Sequence, residues 1–200
     1  MFSKVLLLVV AAAVLADDIP DFVIKGNCPA VEEQRLWDEQ VPKHARFGGV
    51  WYQQAISTNP YQLLNKCVRI HYDYNGKGFD VKAVGITPEG SQLKRTGKIA
   101  PMPLGDSHLM INLDNSFPAP LVILDTDYSN YACMYSCMDY NYGYHSDFAF
   151  FFTRTPDAHD KYINKCKEAL DNIGVDPSRL IKTEQGNHCN YDQLKTLIRD

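Results

Sequence analysis

Six cysteines and six histidines are the side chains of this 200-residue sequence best suited to chemistry. The even cysteine count favours three disulfides in an exported chain, with fifteen possible connectivities. Metal ligation is disfavoured because no Cys-X-X-Cys pair occurs and the histidines lack close ligand spacing. A nucleophilic enzyme would need a spare thiol or a Gly-X-Ser-X-Gly elbow, so we expect neither a metal nor enzymatic activity. The residues are Cys28, Cys67, Cys133, Cys137, Cys166 and Cys189, with His44, His71, His108, His145, His159 and His188.

The chain begins with a segment typical of a secretory signal peptide. A lysine precedes an apolar run over 5–13, and Ala16 stands just before an acidic pair. The run is about a dozen residues, whereas a membrane-spanning helix needs roughly 20, so a membrane anchor is disfavoured. We expect a signal peptide over 1–16 and one secreted, extracellular domain over 17–200. The formal charge of −4 comes from scattered residues of both signs, which does not favour nucleic acid as a partner.

Alternating apolar residues predict a series of short antiparallel strands. Val68, Ile70 and Tyr72 alternate with polar residues, and a glycine-rich turn over 75–78 predicts a hairpin with the next strand. Short strands at close, even spacing favour a barrel or a sandwich. We predict strands over 50–57, 67–74, 79–83, 109–113, 121–124, 131–138 and 148–153, with a break over 117–120.

One amphipathic helix follows the last strand. It is predicted to begin with Thr155 as N-cap and Pro156 in the first turn, and to end at Gly174. Its apolar stripe should pack against the outside of the sheet. The stripe consists of Ala158, Tyr162, Cys166, Leu170 and Ile173.

Strand geometry excludes one disulfide. Cys133 and Cys137 lie four residues apart in a predicted strand, so their Cα atoms are about 13 Å apart, whereas a bridge requires less than about 7 Å. These two cysteines share one face of the strand. Cys166 on the helix can reach that face only if it is the outer one. The remaining connectivity stays open at this point.

Three separated motifs resemble those of the lipocalin family. Gly49-Val50-Trp51 is similar to the first motif, Thr126-Asp127-Tyr128 to the second, and Arg154 to the arginine of the third. The resemblance implies an all-β, eight-stranded antiparallel up-and-down barrel with one C-terminal helix packed outside. It also implies that Trp51 and Arg154 close one end of the barrel by packing and cation–π contact.

Longer segments narrow the resemblance to the crustacyanin subunits of crustaceans, and to the C-type (A1-like) subunits more than to the A-type (A2/A3-like) subunits. They include residues 19–22, 59–62, 131–137 and 143–148. This resemblance implies the disulfides Cys28–Cys137, Cys67–Cys189 and Cys133–Cys166. It also implies a carrier of the carotenoid astaxanthin that forms a heterodimer, and higher assemblies, with an A-type subunit and gives the shell its colour. A carrier of another hydrophobic ligand, such as a bilin, a retinoid or a fatty acid, is the alternative.

Candidate ligand contacts follow from the inward faces of the strands. Alternation from Trp51 places Gln53, Ala55 and Ser57 on the same side. Val68, Phe79, Val81 and the aromatic run over 148–152 also supply candidates, although which members of that run face inward stays open. An ordinary apolar core is the alternative interpretation for the apolar positions. Tyr61 and Gln62 would lie where the strand from Trp51 opens toward the mouth, with packing within the loop as the alternative, and the resemblance supplies His108. The full set of candidate contacts is Gln53, Tyr61, Gln62, Ile70, Tyr72, His108, Met110, Phe117, Phe150 and Phe152.

Two further expectations concern colour and association. The resemblance implies that His108, at a predicted barrel mouth, lies near a keto oxygen of the carotenoid and shifts its absorption to longer wavelength; a plain surface histidine is the alternative. Tyr140, Tyr142 and Tyr144 form a tyrosine-rich segment of the kind enriched at interfaces, or else a loop folded over the barrel.

Overall fold

The computed structural model describes residues 20, 22–31, 46–60, 62–102, 109–114 and 116–199. The signal-peptide segment and the candidates Tyr61 and His108 lie outside these ranges. In this part of the chain, no helix is long and apolar enough to cross a membrane. The strands are β1 Val23–Lys25, β2 Gly49–Ser57, β3 Lys66–Tyr74, β4 Phe79–Ile86, β5 Gln92–Pro101, β6 Leu109–Leu113, β7 Ala119–Thr126, β8 Tyr131–Tyr140, β9 Tyr144–Thr153 and β10 Leu180–Lys182; the helices are α1 Asp160–Asn172, α2 Tyr191–Arg199 and a 3₁₀ turn, Pro177–Arg179.

Strands β2 to β9 form a closed antiparallel barrel. Each strand pairs with the next along the chain, and β2 pairs with both β3 and β9, which closes the sheet. Closure leaves no unpaired edge along the paired lengths. The predicted eight-stranded up-and-down barrel with a helix outside is therefore confirmed. The described part also contains β1, β5, β10 and α2, which the sequence patterns did not predict as elements.

Two apolar clusters lie on opposite sides of the barrel wall. The inner cluster fills the closed end and includes Phe47, Trp51 and Phe79. The outer cluster lies under α1, where Cys166 and Leu170 are fully buried against the sheet. Period-two alternation sends neighbouring strand residues to these two clusters. The predicted packing of the stripe outside the barrel is confirmed for Tyr162, Cys166, Leu170 and Ile173, whereas Ala158 precedes the helix and is exposed.

A bulge in β2 breaks the alternation expected from Trp51. The register with β9 shifts between Gln53 and Ala55, so Ala55 packs in the outer cluster. An extra residue reverses the side on which every later residue points. The prediction that Ala55 faces the interior is therefore wrong, whereas Ile56 lines the cavity. The hydroxyl of Ser57 accepts a hydrogen bond from the Ala149 N–H at 2.9 Å.

Helix α1 begins later than its sequence pattern predicted. His159 caps its first turn, and the Gln54 side-chain amide donates to the carbonyl oxygens of Thr155 and Pro156 at 3.1 and 3.0 Å. Because these two carbonyls accept hydrogen bonds from a side chain of β2, they do not accept helical N–H groups, and residues 155 and 156 lie in a loop before the helix. The predicted start at Thr155 is wrong. The helix ends at Asn172, and Gly174 adopts a positive φ of 76° beyond it.

All six cysteines are paired in disulfides. Cys28–Cys137, Cys67–Cys189 and Cys133–Cys166 have Cα–Cα distances of 5.9, 5.5 and 5.2 Å. These are the pairs that the resemblance implied. They attach the N-terminal segment to β8, the C-terminal segment to β3, and α1 to β8. Each pair thus joins a segment outside the barrel to a barrel strand.

Arg154 closes the end of the barrel opposite the mouth. Its guanidinium lies 3.7 Å from the centroid of the Trp51 ring and donates to backbone carbonyls, including those of Gly48 at 2.8 Å and Tyr128 at 3.0 Å. The Trp51 indole N–H donates to the Phe47 carbonyl at 2.8 Å. Burial lowers the pKa of Arg154 to about 10, so the guanidinium stays charged at neutral pH. The Arg154 guanidinium thus connects three chain segments: residues 46–50, the turn at Tyr128 and the end of β9.

The turn between β7 and β8 supplies some of these carbonyls, and Asp127 organises it. Its carboxylate accepts hydrogen bonds from the N–H groups of Ser129, Asn130 and Tyr131 and from the Asn130 amide. Desolvation opposes ionisation, but these bonds outweigh it and lower the pKa of Asp127 below its ordinary value of 3.8. The turn allows Tyr128 its positive φ of 64°.

Removing the Arg154 guanidinium should destabilise the closed end. We expect Arg154→Ala to lower the free energy of unfolding by about 3 kcal/mol, because several partly buried carbonyls lose a charged donor. Arg154→Lys should recover little, since a single ammonium cannot reach the same carbonyls as a planar fork. Urea unfolding measures both. Full recovery by lysine would show that charge alone is required.

The Asp127 turn should make stability depend on pH. The carboxylate's contribution is present above the unfolded pKa of 3.8 and is lost as the pH falls through the lower folded value. We expect the stability advantage of the native chain over Asp127→Asn to be constant near neutral pH and to disappear in acid below 3.8. Urea unfolding at several pH values measures it. The exposed Asp171→Asn serves as control, and an advantage that persisted fully in acid would contradict the assignment.

Candidate ligand-binding site

A cavity of about 630 Å³ occupies the barrel between its closed end and its mouth. The Trp51 region forms its floor, and the loops that follow β2 and β6 surround its opening. Most of the lining is apolar, and the aromatic rings of Phe150 and Phe152 stack with centroids 6.2 Å apart. The apolar lining includes Ile56, Val68, Ile70, Val81, Ala83, Ile111, Leu113, Leu121, Met134, Phe148, Phe150 and Phe152.

Seven of the ten residues predicted to contact ligand line this cavity. They come from five different strands and loops, which the barrel brings together around one volume. Tyr61 and His108 lie outside the described residues, so their roles remain predictions. The seven are Gln53, Gln62, Ile70, Tyr72, Phe117, Phe150 and Phe152.

Met110 does not belong to the site. Its neighbours Leu109 and Ile111 both belong to the interior packing, so Met110 points away from the cavity. The prediction that Met110 contacts the ligand is therefore wrong, because the inward positions of this strand are Leu109 and Ile111.

The aromatic run of β9 also divides between the two faces. Phe148, Phe150 and Phe152 face the cavity, whereas Phe151 packs in the outer cluster. Phe79 lies below the cavity in the floor, where its ring contacts that of Phe47 with centroids 5.9 Å apart.

Several polar groups of the lining are already oriented by the protein. The Gln53 amide donates to the Thr183 hydroxyl at 2.9 Å, and the Gln62 amide donates to the Leu64 carbonyl at 3.0 Å. Ser136 donates to the Pro120 carbonyl at 2.6 Å. Burial raises the pKa of Tyr72, which keeps its phenol neutral. The site can therefore offer fixed hydroxyl and amide groups to a largely apolar ligand.

The sequence analysis missed the contribution of β5. Its residues Leu93, Gly97 and Ile99 pair with inward positions of β4, and Arg95 between them lines the cavity. A period-two pattern is present over 93–99, but a charged residue and a glycine occupy two inward positions and weaken it. Apolar alternation alone could not identify this strand.

Large apolar side chains are exposed around the mouth. Phe117 is 76% exposed and Tyr142 is 96% exposed, and Leu63 and Tyr140 are also exposed. Tyr144 is partly buried in β9, where it pairs with Lys25 and Tyr140. Solvated aromatic residues at the rim of an apolar cavity are characteristic of a binding surface.

Comparison with known proteins agrees with this geometry. The model of the lipocalin / cytosolic fatty-acid binding protein family matches residues 48–187. The crustacyanin-C1 and crustacyanin-A1 subunits of Homarus gammarus are 55% and 54% identical to this chain over 181 residues, covering 90% of this chain and all of each relative. The crystal structure of lobster apocrustacyanin A1 superposes with a TM-score of 0.84 and 54% identity over 89% of this chain and 99% of that one. The chain therefore belongs to the lipocalin family and, within it, to the crustacyanin group.

Proposed function

We propose that this protein is a secreted carrier of a carotenoid, astaxanthin or a close relative, and a subunit of a pigment complex that colours the shell. The observation that carries the proposal is the long, aromatic-lined cavity in a chain so similar to crustacyanin subunits. The signal-peptide pattern over 1–16 supports export to an extracellular compartment.

The chemistry of the lining supports an elongated, conjugated ligand. The stacked Phe150 and Phe152 rings present flat apolar surface with few rotatable bonds, so contact with a rigid polyene costs little entropy. The polar groups are few and separated, which matches a molecule whose oxygen atoms lie only on its end rings. A smaller, more polar ligand would leave much of the apolar wall unused.

The mouth supports association with a related subunit. A carotenoid too long for one barrel would emerge at the mouth, where Phe117 and Tyr142 are exposed. A second lipocalin covering this rim would bury the emerging chain together with these side chains. We propose a heterodimer with an A-type crustacyanin-like subunit.

Filling the cavity should prevent pigment binding. We expect Ile111→Trp to lower the affinity for astaxanthin about tenfold or more, because an indole in the cavity overlaps the ligand and the wall has little room to adapt. Met110→Trp, one position along and facing outward, should bind as the native chain does. Absorbance of the reconstituted protein after gel filtration measures loading. Equal loading of the two variants would contradict this placement of the site.

Association should depend on the mouth. With astaxanthin and an A-type partner present, sedimentation should show a heterodimer for the native chain and a larger monomer fraction for Tyr142→Ser. Tyr74→Ser provides the matched control, because Tyr74 is an exposed tyrosine at the end of β3 away from the mouth. Monomer alone for the native chain, or equal loss with Tyr74→Ser, would contradict the proposed interface.

A further inference from the structure

The Cys67–Cys189 disulfide fixes the segment that completes the barrel wall. Strand β2 pairs with β3 before its bulge, and beyond the bulge it pairs with β10 instead. The Gln185 amide bridges the gap between β2 and β3, because it donates to the carbonyls of Gln53 and Val68 at 2.7 and 2.8 Å. Both of these residues line the cavity. Displacement of the C-terminal segment would therefore open the wall beside the ligand.

The far end of this segment depends on the disulfide. Arg179 pairs with the Asp147 carboxylate just before β10, so the near end stays attached to β9. Beyond that point, β10 has three residues and α2 has nine. An isolated helix shorter than roughly 12–15 residues is marginal in water. Cys189 is the last cysteine of the sequence, so its bond is the one covalent attachment of this part of the chain.

His188 lies beside this disulfide and faces solvent. A nitrogen of its ring is within 4.8 Å of both sulfur atoms, and the side chain is exposed. Cys189 is 7% exposed and Cys67 is 1% exposed, so Cys189 is the sulfur that a small thiol reaches first. Glu184 also faces the ring, but its carboxylate pairs with Lys66 at 3.0 Å. The imidazole is thus placed to protonate a departing thiolate.

The other two disulfides have different surroundings. Cys133–Cys166 is fully buried beneath α1, where no thiol reaches it. Cys28–Cys137 is partly exposed, but the Asp139 carboxylate accepts a hydrogen bond from the Cys28 N–H at 2.7 Å. A negative charge beside a disulfide disfavours both the incoming and the departing thiolate. Neither of these bonds holds the gap between β2 and β3.

We propose that Cys67–Cys189 is a site of thiol–disulfide exchange, and that its reduction by a small thiol opens the cavity wall and speeds the release of the bound ligand. The proposal rests on the proposed function only for the identity of that ligand. The loosened segment comprises β10 and α2, whereas the eight barrel strands keep their own pairing.

The exchange takes place in two steps. The thiolate of the small molecule attacks Cys189 Sγ, the S–S bond breaks, and Cys67 departs as a thiolate that takes a proton from the His188 imidazolium. A second thiolate attacks the resulting mixed disulfide and releases Cys189. Two small thiols are thereby oxidised to one disulfide, and the two protons that they lose end on the two protein thiols.

The experiment follows astaxanthin release to empty lipid vesicles, with and without dithiothreitol, while alkylation and peptide mapping identify the reduced cysteines. We expect reduction of Cys67–Cys189 to raise the release rate about tenfold or more, because the segment loses its covalent attachment. The double variant Cys67→Ser/Cys189→Ser should release rapidly without dithiothreitol. The matched control, Cys28→Ser/Cys137→Ser, should release slowly until dithiothreitol is added. His188→Gln should load astaxanthin as the native chain does but undergo reduction more slowly.

Hydrogen exchange of residues 180–198, measured on the ligand-free chain, tests the opening without a ligand. Reduction of Cys67–Cys189 without faster exchange there, or without faster release from a loaded chain, would overturn the proposal. An unchanged rate of reduction in His188→Gln would overturn the role of the imidazole. If the double variant does not fold, native chain reduced with limiting dithiothreitol and then alkylated replaces it. A chain that opens on reduction but never loads astaxanthin would contradict the proposed function and leave this opening established.

Discussion

The bulge in β2 is the constraint on which the rest of the barrel depends. Before the bulge, residues 49–52 of β2 pair with β3. Beyond the bulge, residues 55–57 do not pair with β3, and without another partner they would form an open edge of the sheet. An open edge in a cavity wall would expose unpaired backbone groups. Strand β10 covers it, and the Glu184 carbonyl accepts a hydrogen bond from the Cys67 N–H at 2.8 Å. The C-terminal segment is thus part of the wall.

This segment is held by ionic, polar and covalent contacts. Arg179 forms a bidentate pair with the buried carboxylate of Asp147, and the Tyr135 hydroxyl donates to the same carboxylate at 2.8 Å. The hydrogen bonds of Arg179 to the Asp147 carboxylate are the main reason that the pKa of Arg179 is raised. Burial, together with the nearby charge of Asp147, raises the pKa of Tyr135. Both groups therefore stay protonated across the physiological range. The Cys67–Cys189 disulfide fixes the far end of the segment.

The barrel could be predicted from the sequence because the alternation of apolar residues is a local pattern that recurs in strand after strand. Alternation identified most strands, and the motif residues Trp51 and Arg154 meet at the closed end. What it missed depends on contacts between distant segments. No local pattern reveals that the Gln54 side chain holds the Thr155 carbonyl and delays the helix, or that one extra residue turns Ala55 outward. Arg95 was missed because a charged side chain on an inward face contradicts the rule used to identify inward faces.

The C-terminal part of the wall has a consequence for the order of events during synthesis. Gln53 and Val68 belong to the first two barrel strands, yet the Gln185 side chain that bridges their carbonyls lies more than a hundred residues later in the chain. A chain that leaves the ribosome N-terminus first has all eight barrel strands available before this segment emerges. Until then the barrel has an open slot beside the cavity. We therefore expect the enclosed cavity to form only after residues 180–185 have been synthesised, and loading of a ligand to follow that step.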